Sequence, residues 1–281
     1  MARPLRPLVE NGIYHVFNRG NARESIFRDD TDRAQFIATF KRVKRLCGWS
    51  CLAYCLLVNH YHLVVRTPRP DLSRGMARLD SGYAQAFNRR HDRVGHLFQG
   101  RFGSRLVQED EHLLTTLRYV ALNPVESSLC SAPANWRWSG HREILGLASG
   151  QVVDVAEILT LIADETDAAL RAYRALFDDD GPGPMPSGVA DVVLGESEFV
   201  AAAVSTAPLS REIPKRQRLA ARPDLSQVFR GCDRDNALLS AYFDHGYAQR
   251  EIAEHLGCHY STVSRWLRSA EERTAMWQRK T

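Results

Sequence analysis

Ile13-Tyr14-His15-Val16-Phe17-Asn18 alternates apolar and polar positions between Gly12 and Gly20, the pattern of a first strand. The period then changes. Phe36, Ile37, Phe40, Val43 and Leu46 recur at helical spacing over Thr31–Cys47, with Asp29-Asp30-Thr31 as a capping start and Gly48 as a stop. Trp49–Leu57 predicts a second strand, Val58-Asn59 a tight turn, and His60–Arg66 a third strand that closes a hairpin; Pro68 and Pro70 end it. Residues 71–91 read as a helix and Gly103–Gln108 as a short fourth strand. The order β-α-β-β-α-β is that of a ferredoxin-like sandwich, so the predicted class is α+β.

A further helix is predicted over residues 110–123. Glu109-Asp110-Glu111 forms its acidic start and Pro124 its stop, and Leu113, Leu117, Val120 and Ala121 make its apolar stripe. Beyond it, residues 151–178 are acidic and helical in pattern. Gly181-Pro182-Gly183-Pro184-Met185-Pro186-Ser187-Gly188 reads as a linker, and residues 190–223 as one short helix followed by a basic stretch. Near the end, Gln249–Leu256 is a helical run closed by Gly257. A second run starts after Cys258-His259-Tyr260, with Ser261 as its expected N-cap. That is a helix-turn-helix in an all-α terminal domain. The expected organisation is 1–150, 151–223 and 224–281.

Charge sharpens this division. Residues 1–150 carry 22 Lys and Arg against 13 Asp and Glu, and residues 151–223 carry 7 against 12. Residues 224–281 carry 8 of each. The first part therefore has the electrostatic footprint for a polyanion. Twenty of its cations are Arg, which suits bidentate phosphate contacts. Residues 1–8 form a Pro-spaced basic arm, expected to be extended. No apolar run reaches the ~18 residues of a membrane helix, and the start lacks the apolar core of a signal peptide. A cytoplasmic, nucleoid-associated protein without a membrane partner is expected. Cys47, Cys51 and Cys55 sit in apolar context at spacings unlike a zinc site, and read as buried thiols.

The candidate chemistry begins at Asn59-His60-Tyr61-His62. Along a strand, His60 and His62 share one face ~6–7 Å apart, and Tyr61 points to the other. Two imidazoles so placed can converge on one metal ion. Tyr119 and Asn123 are i and i+4 on the predicted 110–123 helix, so a hydroxyl and an amide project together, off the apolar stripe. Taken alone, these are equally a rim tyrosine and a capping amide. Tyr83 is a competing nucleophile, but Phe87 at i+4 cannot be a ligand. His112 is a candidate base one to two turns before Tyr119.

Three motifs together resemble the signature set of the REP-associated tyrosine transposases, within the HUH single-strand transposases. They are His60-Tyr61-His62, Gly95-His96-Leu97-Phe98-Gln99-Gly100-Arg101-Phe102 and Tyr119-Val120-Ala121-Leu122-Asn123-Pro124-Val125. Tyr14-His15-Val16-Phe17-Asn18-Arg19-Gly20 and Trp136-Arg137-Trp138-Ser139 resemble the family's opening strand and closing motif. The likeness spans about residues 8–147. It implies a divalent metal, Mg²⁺ or Mn²⁺, on His60, His62 and Asn123. It also implies Tyr119 as the nucleophile of a single-strand DNA endonuclease and strand transferase, acting on palindromic or hairpin DNA. Tyr61 departs from the pattern, where the middle position is usually aliphatic; little consequence is expected because it faces away. Arg101 and Arg105 are candidate phosphate clamps.

The terminal domain resembles the DNA-binding end of the bacterial replication initiator over about residues 225–272. That likeness points to duplex DNA, with His259, Ser261, Thr262 and Arg265 toward base edges and Arg268 toward phosphate. Two alternatives remain. One is a non-catalytic DNA-binding regulator that keeps the transposase fold. The other is a rolling-circle initiator or relaxase.

Overall fold

Strand β1 (Gly12–Arg19) lies at the middle of a sheet whose other strands are β2 (Ser50–Leu56), β3 (His60–Thr67), β4 (Gly103–Val107) and β5 (Val193–Leu194), in the order β2-β3-β1-β4-β5. β1 is antiparallel to both β3 and β4, and β2 is antiparallel to β3. Helices α1 (Asp30–Cys47) and α2 (Leu72–Arg90) connect them, and α3 (Glu111–Glu126) follows β4. This is the expected α+β sandwich. The computed structural model describes residues 7–109, 111–148, 152–178, 192–205, 224–230, 233–244, 247 and 249–278. Most of the basic arm, the Gly/Pro linker, the basic stretch before residue 224 and the Arg268 side chain lie outside the described residues.

Local chemistry explains the frame. The Asp29 side chain accepts from Asp32 N at 3.0 Å and caps α1, and Gly48 ends it at φ 70°, a left-handed conformation suited to glycine. Register then sorts the side chains. His15 faces Val64 and Arg105 across the ladder, and Phe17 faces His62 and Gly103. Cross-strand partners share a face, so His15, Phe17, His60, His62 and Arg105 stand on one side of the sheet. Tyr14, Val16, Asn18, Tyr61, Leu63 and Val65 stand on the other. On that second side Tyr61 meets Phe36 of α1 at 4.8 Å between ring centroids, and Asn18 reaches Asp80 of α2. Gly103 is required by this register: a Cβ there would sit 2.4 Å from the Phe17 ring.

Two expectations in this part of the chain need correction. First, α3 does not stop at Pro124 but runs to Glu126. A proline removes one helical N–H, and Asn123 before it is biased away from helix. Here the Asn123 side chain donates to Tyr119 O at 3.1 Å, and Ser127 N and Leu129 N continue the ladder to Asn123 O and Pro124 O. Second, residues 190–223 were expected to begin with a helix, yet Val193–Leu194 adds a parallel strand beside β4, pairing Leu106 with Val193. A helix, α6 (Ser197–Ser205), follows it. The segment after residue 150 packs on the sheet domain. Its helices α4 (Val155–Ile162) and α5 (Thr166–Ala175) are fixed by Asp154, which pairs with Lys44 at 2.7 Å and accepts from Cys51 N. Arg6–Pro208 thus forms one compact unit.

The second unit holds α7 (Arg234–Leu239), α8 (Gln249–His255) and α9 (Tyr260–Gln278). Leu225, Leu238, Ile252, Ala253, Val263 and Leu267 form its core. Gly257, at φ 62°, makes the turn between α8 and α9. The expected cap is displaced by two residues. α9 begins at Tyr260, so Ser261 lies in its first turn and His259 stands at the cap, its Nδ1 accepting from Ser261 N at 3.4 Å. Among the described residues no helix is long and apolar enough to cross a membrane.

Candidate active site

Between one face of the sheet and the α3 helix opens a cleft of about 540 Å³ lined by Phe17, Asn18, Arg19, His60, His62, Gln99, Gly100, Arg101, Gly103, Arg105 and Tyr119. It brings together residues from β1, β3, β4, α3 and the loop before β4. Adjacent strands supply the floor, where alternation presents the side chains of Phe17, Arg19, His60, His62 and Arg105.

His60 and His62 lie side by side, with ring centroids 5.2 Å apart. The His60 ring is oriented from outside the cavity. Asn59 Nδ2 donates to Arg23 O at 3.0 Å, which turns Asn59 Oδ1 onto His60 Nδ1 at 2.7 Å. An amide oxygen only accepts, so His60 Nδ1 carries the hydrogen and Nε2 keeps a lone pair. The Asn123 side chain lies beside the His60 ring, with its Nδ2 donating to Tyr119 O at 3.1 Å. Burial and Arg19 lower the His60 pKa, which keeps the imidazole neutral.

His62 is more deeply set, at 4% exposure. Burial, followed by His15, His60 and the arginines, holds its pKa well below the ordinary value. Its Nδ1 lies 2.9 Å from His15 Nε2, and its Nε2 is buried with no hydrogen-bond partner among the described residues. Such an orphaned ring nitrogen in a polar cavity fits a cation ligand. Among the described residues no group of three or more His, Cys, Asp or Glu is gathered for a metal. The donor set available is two imidazoles and the Asn123 amide, a mixed N/O set compatible with Mn²⁺ or Mg²⁺.

Tyr119 stands on α3 with its ring edge-on to His62 at 5.5 Å and to His15 at 5.8 Å. Arg101 is exposed at the rim. Arg105 lies over the Phe17 ring, 5.5 Å from its centroid. The other tyrosines are elsewhere. Tyr83 is fully buried in the helix layer and donates to Ile26 O, with a pKa raised by burial. Tyr61 is buried on the far side of the sheet and donates to Asp80 Oδ1 at 2.6 Å. His112 does not line the cavity.

Sequence reasoning missed His15, Phe17, Arg19 and Gln99 as parts of this site. Alternation alone put His15, Phe17 and Arg19 on one face of the first strand, but only the register shows that it is the face of His60 and His62.

In the second unit, His259, Ser261 and Arg265 are exposed at the start of α9, and Thr262 is half-buried. His259 Nδ1 accepts from the Ser261 hydroxyl at 2.8 Å, and Arg265 reaches Thr262 Oγ1 at 3.5 Å. These polar groups share the N-terminal end of one helix.

Comparison with known proteins places both regions. Residues 8–123 match the family described as "Transposase IS200 like", and residues 236–275 match the family "Homeodomain-like domain". A curated relative from Haemophilus influenzae, described as a REP-associated tyrosine transposase, is 25% identical over 122 residues, 39% of this chain and 69% of that protein. A solved structure described as a REP-associated tyrosine transposase bound to a REP hairpin aligns at a TM-score of 0.47 with 20% identity, over 55% of this chain and 94% of that one. Residues 8–123 of this chain are thus similar to the IS200-like transposases, the REP-associated tyrosine transposases among them, and residues 236–275 are similar to homeodomain-like domains.

Proposed function

We propose that the protein cuts and rejoins single-stranded DNA, hairpin DNA included, through a 5′-phosphotyrosine on Tyr119. One observation carries this reading: the Tyr119 ring packs edge-on against His62, whose Nε2 has no hydrogen-bond partner among the described residues, in a cavity also lined by Arg101 and Arg105. The Tyr119 oxygen attacks the scissile phosphorus. The bond from phosphorus to that oxygen forms, the bond to the 3′ oxygen breaks, and the phenolic proton passes to solvent. The departing strand ends in a 3′-OH. The covalent bond conserves the phosphodiester, so rejoining by a 3′-OH needs no nucleotide cofactor. Arg101 and Arg105 bind the phosphates beside the scissile bond and hold it in line. His60, His62 and Asn123 would hold the divalent ion, which when bound acts as a Lewis acid on the scissile phosphate.

The helix-turn-helix serves as a duplex reader in the same proposal. Its His259, Ser261, Thr262 and Arg265 stand where an inserted helix meets base edges, with Arg268 assigned to phosphate.

The test uses the full chain, Mn²⁺ and a hairpin oligonucleotide labelled at its 3′ end. A labelled protein band that survives denaturing electrophoresis is the expected result. Absence of any such band with hairpin, unpaired and flanking sequences would favour a regulator that keeps the fold without the chemistry.

A further inference from the structure

The His15 side chain carries no role in the reaction just described, yet it is 1% exposed and faces the cavity histidines. Its ring stacks on His62 with centroids 5.1 Å apart at 22°, and its Nε2 is 2.9 Å from His62 Nδ1. Two ring nitrogens at that distance share one hydrogen. Which ring owns it decides what the other side of His62 presents. If His15 donates, His62 Nε2 carries a hydrogen buried with no acceptor and is closed to a cation. If His62 donates, its Nε2 shows a lone pair to the cavity.

We propose that His15 is the positioning residue for His62, accepting the His62 Nδ1 hydrogen at its own Nε2 and so holding His62 in the tautomer and ring angle that present Nε2 to a divalent cation. This rests on the metal reading given under the proposed function. Three observations support it. His15 is the only hydrogen-bond partner of the His62 ring among the described residues. The arrangement parallels His60, whose Nδ1 hydrogen goes to Asn59 Oδ1, so both rings would face the cavity through the same nitrogen. The register also leaves His15 little freedom, since Phe17, Val64 and Arg105 surround it on the sheet. A ring angle fixed from behind is what a metal-binding imidazole needs.

The first measurement needs no metal. A long-range ¹H–¹⁵N spectrum of the ¹⁵N-histidine-labelled full chain, with the His62 signals assigned by their loss in His62→Gln, reads the tautomer directly. Hydrogen on Nδ1 is the expected result, and hydrogen on Nε2 overturns the proposal. The second measurement is Mn²⁺ affinity by electron paramagnetic resonance. His15→Leu, which has no acceptor, should bind Mn²⁺ about 10- to 100-fold more weakly than the wild type. His15→Gln, whose amide oxygen can take the place of Nε2, should recover most of that loss. Equal affinities in wild type and His15→Leu overturn the proposal, as does a loss in His15→Gln as large as in His15→Leu when both variants keep the wild-type far-ultraviolet circular dichroism. A wild-type protein that binds no Mn²⁺ would remove the metal reading, and the tautomer spectrum would still decide the role of His15.

Discussion

The Tyr61 hydroxyl donates to Asp80 Oδ1 at 2.6 Å, so the residue between the two cavity histidines is tied to α2 on the opposite side of the sheet. Asp80 Oδ2 accepts from Asn18 Nδ2 at 2.9 Å, and the same amide reaches Gly100 O at 3.3 Å. Both Asn18 and Gly100 line the cavity. The departure at the middle HUH position therefore has a consequence: it anchors a carboxylate that holds one wall of the site.

Removing that hydroxyl takes one donor from the half-buried Asp80 carboxylate. Tyr61→Phe should cost about 1–3 kcal/mol of stability. Urea denaturation followed by circular dichroism measures it. A variant as stable as the wild type would show that the Tyr61–Asp80 bond contributes nothing net.

On the proposed function, the histidine pair is expected to govern cleavage rather than binding. His60→Ala, His62→Ala or excess EDTA should abolish formation of the covalent adduct. Affinity for single-stranded DNA, measured by fluorescence anisotropy, should largely persist because the arginines remain. Full cleavage in EDTA would remove the metal from the mechanism.

His141 sets a pH dependence of stability. It is buried against Phe177, its Nδ1 lies 2.9 Å from the Tyr173 hydroxyl, and burial lowers its pKa to about 4. The unfolded chain takes up this proton near pH 6.5 and the folded one only near 4, so the unfolded state binds more protons between those values. Stability should fall as pH drops through that window, by up to about 3 kcal/mol from this group. The thermal midpoint of His141→Gln should vary less with pH over the same interval. An identical slope in both proteins would contradict the assignment.

The main elements were legible because their periods differ sharply. The alternation at residues 13–18 and the helical spacing at 36–46 have no other reading. Tyr119 and Asn123 were legible as a pair because four residues make one helical turn. His15 was not, because its role depends on strands paired across 47 residues, where no local pattern reports the partner. Val193–Leu194 was missed because two residues carry no period. Pro124 misled because its cost falls on a helix end where the Asn123 amide compensates. The cap at His259 was misplaced because Ser261 is the stronger capping residue by type, while the chain turns two residues earlier.

On the proposed function, the terminal unit should deliver the first unit to its DNA site. Deletion of residues 224–281 should leave cleavage of a short single-stranded oligonucleotide intact while weakening binding to a long target with flanking duplex. Electrophoretic mobility shifts on the two DNAs measure this. Undiminished affinity for the long target would show that the helix-turn-helix does not read duplex DNA.

The central claim concerns the atom that attacks. Digestion of the covalent complex with trypsin and nuclease, followed by tandem mass spectrometry, identifies the modified residue. A nucleotide joined through its 5′-phosphate to Tyr119, with no adduct in Tyr119→Phe and an undiminished one in Tyr83→Phe, is the predicted result. An adduct that persists in Tyr119→Phe, or that maps to any other residue, would contradict the account.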